Sequence, residues 1–126
     1  MAYPAKYRYT REHEWIEING KTGKVGITDY AQQSLGDIVF VDLPKIGSAL
    51  EQGKVFGSVE SVKAVSDLFT PIGGEVLEIN DTLENDPAAV NRDPYGAGWL
   101  FKVKLADANE KNNLLSAADY EKIATE

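Results

Sequence analysis

Short runs rich in Val, Ile, Phe and Trp recur along the chain, each closed by a turn signal, and this rhythm limits the fold more than any other feature. The runs are Glu14 to Ile18, Lys24 to Thr28, Ile38 to Leu43, Val55 to Ser61, Val65 to Thr70, Glu75 to Ile79 and Trp99 to Leu105. Segments this short and this closely spaced build a mainly β sandwich or barrel. Asn19-Gly20 lies between the first two runs and predicts a tight hairpin, since both residues tolerate positive φ. Gly36, Pro44, Gly47, Gly53, Gly73-Gly74 and Asp93-Pro94-Tyr95-Gly96 supply the remaining punctuation. With 126 residues the chain suits one core, so a single domain over 1–126 is expected.

Helical signals are few. Thr28 to Leu35 opens on a capping residue, puts Ala31 and Leu35 on one face and stops at Gly36, which predicts a brief surface helix. At the C-terminal end, Ser116 with Asp119 resembles a capping box, and Tyr120, Ile123 and Ala124 form an apolar stripe at helical spacing. Between Asp81 and Asn91, Asp81 or Thr82 would cap one more turn of helix, limited by Pro87. Gly-Lys-Val occurs at Gly23 and again at Gly53, but three shared residues do not make a repeat.

Charge and composition exclude several functions. Thirteen basic residues stand against 20 acidic ones, a net charge of −7. Such a balance argues against nucleic acid, whose phosphates are bound through clustered Lys and Arg, and for partners with basic surfaces. No apolar run approaches the roughly 18 residues of a membrane span. The opening Met-Ala-Tyr-Pro-Ala-Lys-Tyr-Arg lacks the apolar stretch of a signal peptide, so a cytoplasmic location, or an organellar one after trimming, is the expectation. The absence of cysteine removes disulfides, thiolate zinc sites, a Cys nucleophile and protein-borne thiol redox chemistry. His13, the single histidine, reads as structural, and without a second His or any Cys a zinc site is rejected. The serines lack a Gly-x-Ser-x-Gly elbow, and Gly73-Gly74 lacks the spacing of a phosphate loop. An enzyme built on paired carboxylates, or an unmodified binding module, remains as a weaker reading.

That leaves the segment 53–76, in which Lys63 lies between Val62 and Ala64. Ser61, Ser66 and Asp67 are its nearest turn formers, and propensity alone runs the flanking strands into one with an exposed lysine. The run Gly53, Val55, Val59, Glu60-Ser61-Val62-Lys63-Ala64, Asp67, Pro71, Gly74-Glu75-Val76 resembles the lipoyl-attachment segment of swinging-arm carriers. Further blocks are similar, in order and over nearly the whole chain, to the glycine cleavage H-protein family. They are His13-Glu14-Trp15, Gly26 to Ala31, Leu35-Gly36-Asp37, Val39 to Pro44 and Asn91-x-Asp93-Pro94-Tyr95-Gly96-x-Gly98-Trp99.

The resemblance implies a barrel-sandwich hybrid of the lipoyl/biotinyl-carrier type, mainly β with short peripheral helices and a C-terminal helix. It places Lys63 at the tip of a hairpin and lipoic acid on its amine. It implies a non-catalytic shuttle that carries an aminomethyl group from a pyridoxal-phosphate glycine decarboxylase (P protein) to a tetrahydrofolate aminomethyltransferase (T protein). A dihydrolipoyl dehydrogenase (L protein) then reoxidises the arm, and a lipoate-attaching enzyme installs it. Glu14 and Asp67 match positions near a cleft that receives the loaded arm. A monomer without nucleic-acid or membrane partners is expected. Glu12 before His13, and the bulk of Leu68-Phe69, depart from the family pattern at the cleft rim. The alternatives are an H-like protein that relays lipoyl groups or serves another pathway, and, by shared hairpin architecture, a biotinyl carrier. Biotin sites usually set the lysine between methionines, whereas the only methionine here is Met1.

Overall fold

The backbone divides between two sheets in this computed structural model, which describes residues 3–124; Met1 and the last two residues of the expected domain are among those outside that range. The strands are β1 (Arg8–Tyr9), β2 (Glu14–Asn19), β3 (Thr22–Ile27), β4 (Ile38–Asp42), β5 (Ala49–Leu50), β6 (Val55–Ser61), β7 (Val65–Phe69), β8 (Gly74–Ile79) and β9 (Phe101–Leu105). One sheet has the order β1-β2-β3-β9-β8-β5 and the other β4-β6-β7. All recorded pairings are antiparallel. The expected mainly β barrel-sandwich is therefore the fold, with helices α1 (Asp29–Leu35), α2 (Ala89–Arg92) and α3 (Ala117–Ile123) at its periphery.

Between the sheets lies an apolar core. Ile16, Val25, Val76, Phe101 and Val103 face it from the larger sheet, and Ile38, Val41, Phe56, Val59 and Leu68 from the smaller. Phe56 and Phe101 join the two layers, with ring centroids 4.7 Å apart. A second, aromatic cluster of Tyr3, Tyr7, Tyr9, Trp15 and Tyr120 anchors α3. Trp15 pairs with Gly26 across β2 and β3. Its ring occupies the space a side chain there would need, because a β-carbon on Gly26 would lie 2.6 Å from it.

Local signals place most ends of elements. The β2–β3 hairpin closes on the pair Asn19↔Thr22, leaving Gly20 and Lys21 in the turn. Gly20 alone of the Asn-Gly pair takes positive φ, at +62°, as the first central residue of a type II′ turn requires. Thr28 leaves the third strand one residue early because its hydroxyl accepts the Ala31 N–H and caps α1. Ser116 caps α3 through the Asp119 N–H.

Three expectations need correction. The region 81–91 contains two pieces, a 3-10 turn over Asp81–Glu84 and the short α2, with Pro87 between them. Neither Asp81 nor Thr82 caps: Asn80 holds the N-terminal position, and the Thr82 hydroxyl donates to Asn80 Oδ1. The last strand begins at Phe101 rather than Trp99. The two-residue strands β1 and β5, and a 3-10 segment over Ala108–Asn113, carry too short a pattern for sequence to detect.

Candidate functional site

Lys63 stands at the end of the hairpin formed by β6 and β7, whose last paired residues are Glu60 and Val65. The strands pair without interruption from Gly57↔Leu68 to that point, beyond a register shift between Val55 and Gly57, and the reversal takes four residues. Ser61 makes it. Its N–H donates to the Ala64 carbonyl at 2.8 Å, and its buried hydroxyl accepts the N–H groups of Lys63 at 3.1 Å and Ala64 at 3.2 Å. A side chain that satisfies its own turn in this way is the mechanism by which Ser favours reversals, so the signal was present in the sequence but weaker than the β propensity around it. The turn is fastened from outside by the Val62 N–H, which donates to the Asp37 carbonyl at 3.0 Å. Lys63 itself is exposed, and its apolar neighbours Val62 and Val65 are 67% and 68% exposed.

Beside the turn lies a cleft of about 430 Å³. The residues Val65 to Phe69 form one wall, and Ala31, Ser34 and Leu35 of α1 form the other, with Ile27, Glu12 and His13 also contributing. Gly36, directly after Leu35, ends α1 with φ +81°. The Lys63 stem lies over it: a β-carbon on Gly36 would stand 3.3 Å from Lys63 Cε and 3.8 Å from Nζ. The lysine thus bridges the ends of the two cleft walls.

Asp67 lies on the cleft wall and is exposed. Glu14 lies behind that wall, 1% exposed. Its Oε2 accepts the Phe69 N–H at 3.1 Å, and its Oε1 accepts the Thr10 hydroxyl at 2.5 Å. Burial pushes its carboxyl up to about 7, against the lowering effect of those two hydrogen bonds. The two carboxyl groups therefore differ in environment: Asp67 lines the cleft and Glu14 does not.

Sequence reasoning gave His13 no part in the site, yet it forms part of the cleft wall. It ends the four-residue loop between β1 and β2 with φ +75°. Its Nδ1 lies 2.8 Å from the Tyr120 hydroxyl, which in turn lies 2.6 Å from Thr28 Oγ1, and its ring lies 4.6 Å from that of Tyr30. Burial pushes the imidazole pKa down. The α1 wall was also missed, because amphipathic spacing identifies a buried face without saying what the other face overlooks. Among the described residues, no group of three or more His, Asp or Glu is placed to hold a metal ion, and no helix is long and apolar enough to cross a membrane.

Comparison with known proteins covers nearly the whole chain. The family model described as glycine cleavage H-protein matches residues 7–126. A glycine cleavage system H protein of Acidobacterium capsulatum is 63% identical over 126 residues, covering 100% of this chain and 97% of that protein. One from Koribacter versatilis is 59% identical over the same shares. Among solved structures, a glycine cleavage system H protein from Mycobacterium marinum superposes with a TM-score of 0.87 at 43% identity, covering 95% of this chain and 97% of the other.

Proposed function

The chain belongs to the glycine cleavage H-protein family, and from that membership we propose that Lys63 is the residue that carries its lipoyl group. The family's members bear lipoate covalently on a lysine, and this chain is a lipoyl shuttle of glycine cleavage. The observation that carries the assignment is the position of Lys63, exposed on a hairpin turn with its stem against Gly36 at the end of the cleft. A cleft of about 430 Å³ falls in the size range of small-molecule sites and suits an acyl chain ending in a five-membered ring. When bound, the lipoyl group supplies a disulfide that accepts the aminomethyl unit on one sulfur, passes it on, and is restored by oxidation.

The residues of this chain have three tasks. Sheet pairing below the turn, closed by Ser61, holds the Lys63 backbone rigid and presents the amine to the lipoate-attaching enzyme without nearby bulk. The hairpin then serves as a tether. A lipoyl-lysine reaches on the order of 14 Å from the backbone by ordinary bond lengths, so docking the carrier raises the arm's effective concentration at each partner into the millimolar range or above, roughly. Third, the cleft shelters the aminomethyl end from water between partners, with the Asp67 carboxylate on its wall holding the ammonium by a charge-assisted hydrogen bond and the buried Glu14 acting on that charge through space. Asp67 meets that charge on the wall, and Glu14 acts from behind Phe69.

On this reading the chain has no catalytic cycle of its own, forms one domain over 1–126, and works as a cytoplasmic monomer whose hairpin tip stays free. Its partners are the decarboxylase, the aminomethyltransferase, the dihydrolipoyl dehydrogenase and the attaching enzyme. Intact mass and peptide mapping after lipoylation test the assignment: a single lipoyl addition on the Lys63 peptide is expected, and a biotinyl mass or another site overturns it. In the reconstituted system Lys63→Arg abolishes glycine decarboxylation, whereas Glu14→Ala and Asp67→Ala keep attachment but speed loss of methylamine from the loaded carrier. An unchanged rate in both carboxylate variants removes the holding role.

A further inference from the structure

Asn91 lies on α2, 22 residues of sequence beyond the end of the hairpin at Phe69, yet its side chain reaches the loop beneath Lys63, as its contacts with 32–38 show. Its Oδ1 accepts the Ile38 N–H at 2.9 Å, and its Nδ2 donates to the Gly36 carbonyl and to Gln32 Oε1, each at 2.9 Å. Both donors of the amide are used. The three bonds tie the last turn of α1 to the first residue of β4, across the Gly36-Asp37 connection. The same connection holds the Lys63 turn, through the Asp37 carbonyl and the Val62 N–H, and its Gly36 is the surface against which the Lys63 stem rests.

We propose that Asn91 is a positioning residue for the carrier arm, fixing Gly36 as the floor over which an acyl group on Lys63 is led into the cleft. The inference rests on the reading of Lys63 as the attachment site and of the cleft as the arm's resting place. A carboxylate in place of the amide cannot donate, and it would face two acceptors, the Gly36 carbonyl and the Gln32 side-chain oxygen, where the amide met them with N–H groups. The loop would leave its present position. A side chain at Gly36 would act from the other side: its β-carbon would press on Cε at 3.3 Å and would sit on a backbone with φ +81°, which disfavours anything but glycine.

The chain contains no cysteine, so when the arm carries its aminomethyl unit on one sulfur, the other sulfur is the only thiol in the molecule. Its alkylation by iodoacetamide, followed by intact mass, reports how much of the time the arm is out of the cleft. In loaded Asn91→Asp the thiol is expected to react roughly five- to tenfold faster than in the loaded wild type, the population shift that loss of about one net hydrogen bond produces. Gly36→Ala is expected to do the same. Ser116→Ala, which removes the α3 cap far from this loop, lowers stability and leaves the alkylation rate unchanged. A second readout needs no arm at all: nuclear Overhauser contacts between the Lys63 ε-protons and Gly36 are present in the unmodified wild type and lost in folded Asn91→Asp. Persistence of those contacts, or a wild-type alkylation rate in both variants, overturns the proposal. If the loaded wild type itself reacts as fast as a lipoylated peptide spanning 60–66, the resting place in the cleft is refuted, and this inference goes with it.

Discussion

Burial acts on Glu14 and His13 in opposite senses, because it disfavours the anion of one and the cation of the other. For Glu14 the folded pKa of about 7 lies above the ordinary 4.5. The folded state therefore holds the proton more tightly than the unfolded state does between those values. Its contribution to stability is complete below pH 4.5 and is lost as the pH rises through 7. A displacement of that size corresponds to about 3 kcal/mol. His13, with a depressed pKa, contributes in the other direction: its share is present above its unfolded value and is lost as the pH falls. Glu14→Gln removes the first dependence and leaves the second. Urea denaturation between pH 4.5 and 7 is expected to show stability declining less steeply with pH, or rising, in Glu14→Gln relative to wild type. Parallel profiles would mean that Glu14 titrates normally. In the role proposed for Glu14, an ammonium brought into the cleft would favour the carboxylate and draw the Glu14 pKa down.

At the scale of elements, α1 forms one wall of the cleft and depends on both of its ends. Thr28 has no exposure and does two things there. Its hydroxyl accepts the Ala31 N–H as the N-cap, and it hydrogen-bonds the Tyr120 hydroxyl from α3. Thr28→Ala removes both contacts and leaves the buried phenol with only His13. The expected loss is about 2 kcal/mol, read from the urea midpoint. Thr28→Ser, which retains the oxygen, recovers most of it; failure of Ser to do so would show that the methyl group rather than the cap holds the helix. At the other end, Gly36 closes α1 through its N–H to the Gln32 carbonyl and hands the chain to the Lys63 turn. The hairpin behaves differently. Its strands are held by pairing with β4 on one side only, and its tip by the Ser61 hydroxyl and the Asp37 carbonyl. In the role proposed for Lys63, a tip that enters several active sites gains from having its rigidity supplied below it rather than around it.

Across the whole molecule, the two sheets have no shared strand and meet through side chains. Phe56 from the smaller sheet, which bears the Lys63 hairpin, packs on Phe101 of the larger sheet. Phe56→Ala is expected to cost about 3 kcal/mol or more, by loss of transfer energy and the cavity left behind, and to shift the denaturation midpoint accordingly. Phe56→Leu should cost less than half as much. If the alanine variant lost under 1 kcal/mol, roughly the size of an exposed-site change, the sheets would not depend on this contact.

Much of this architecture is written in short stretches of chain. The hairpin turn at Gly20, the Thr28 and Ser116 caps and the stop at Gly36 each involve partners within a few residues, so composition and spacing suffice to place them. The resemblance to the family likewise pointed to Lys63, because the segment that carries it is contiguous in the chain. Other features arise from contacts between residues far apart in the chain, and no local pattern encodes these. Glu14 is one acidic residue among 20 until Thr10 and the Phe69 N–H close over it. His13 joins the cleft through Tyr120, 107 positions away, and Asn91 reaches a loop 53 residues earlier. Hydrogen-bond geometry and desolvation depend on what surrounds a group in space, and that is established when the sheets pack and the helices dock against them.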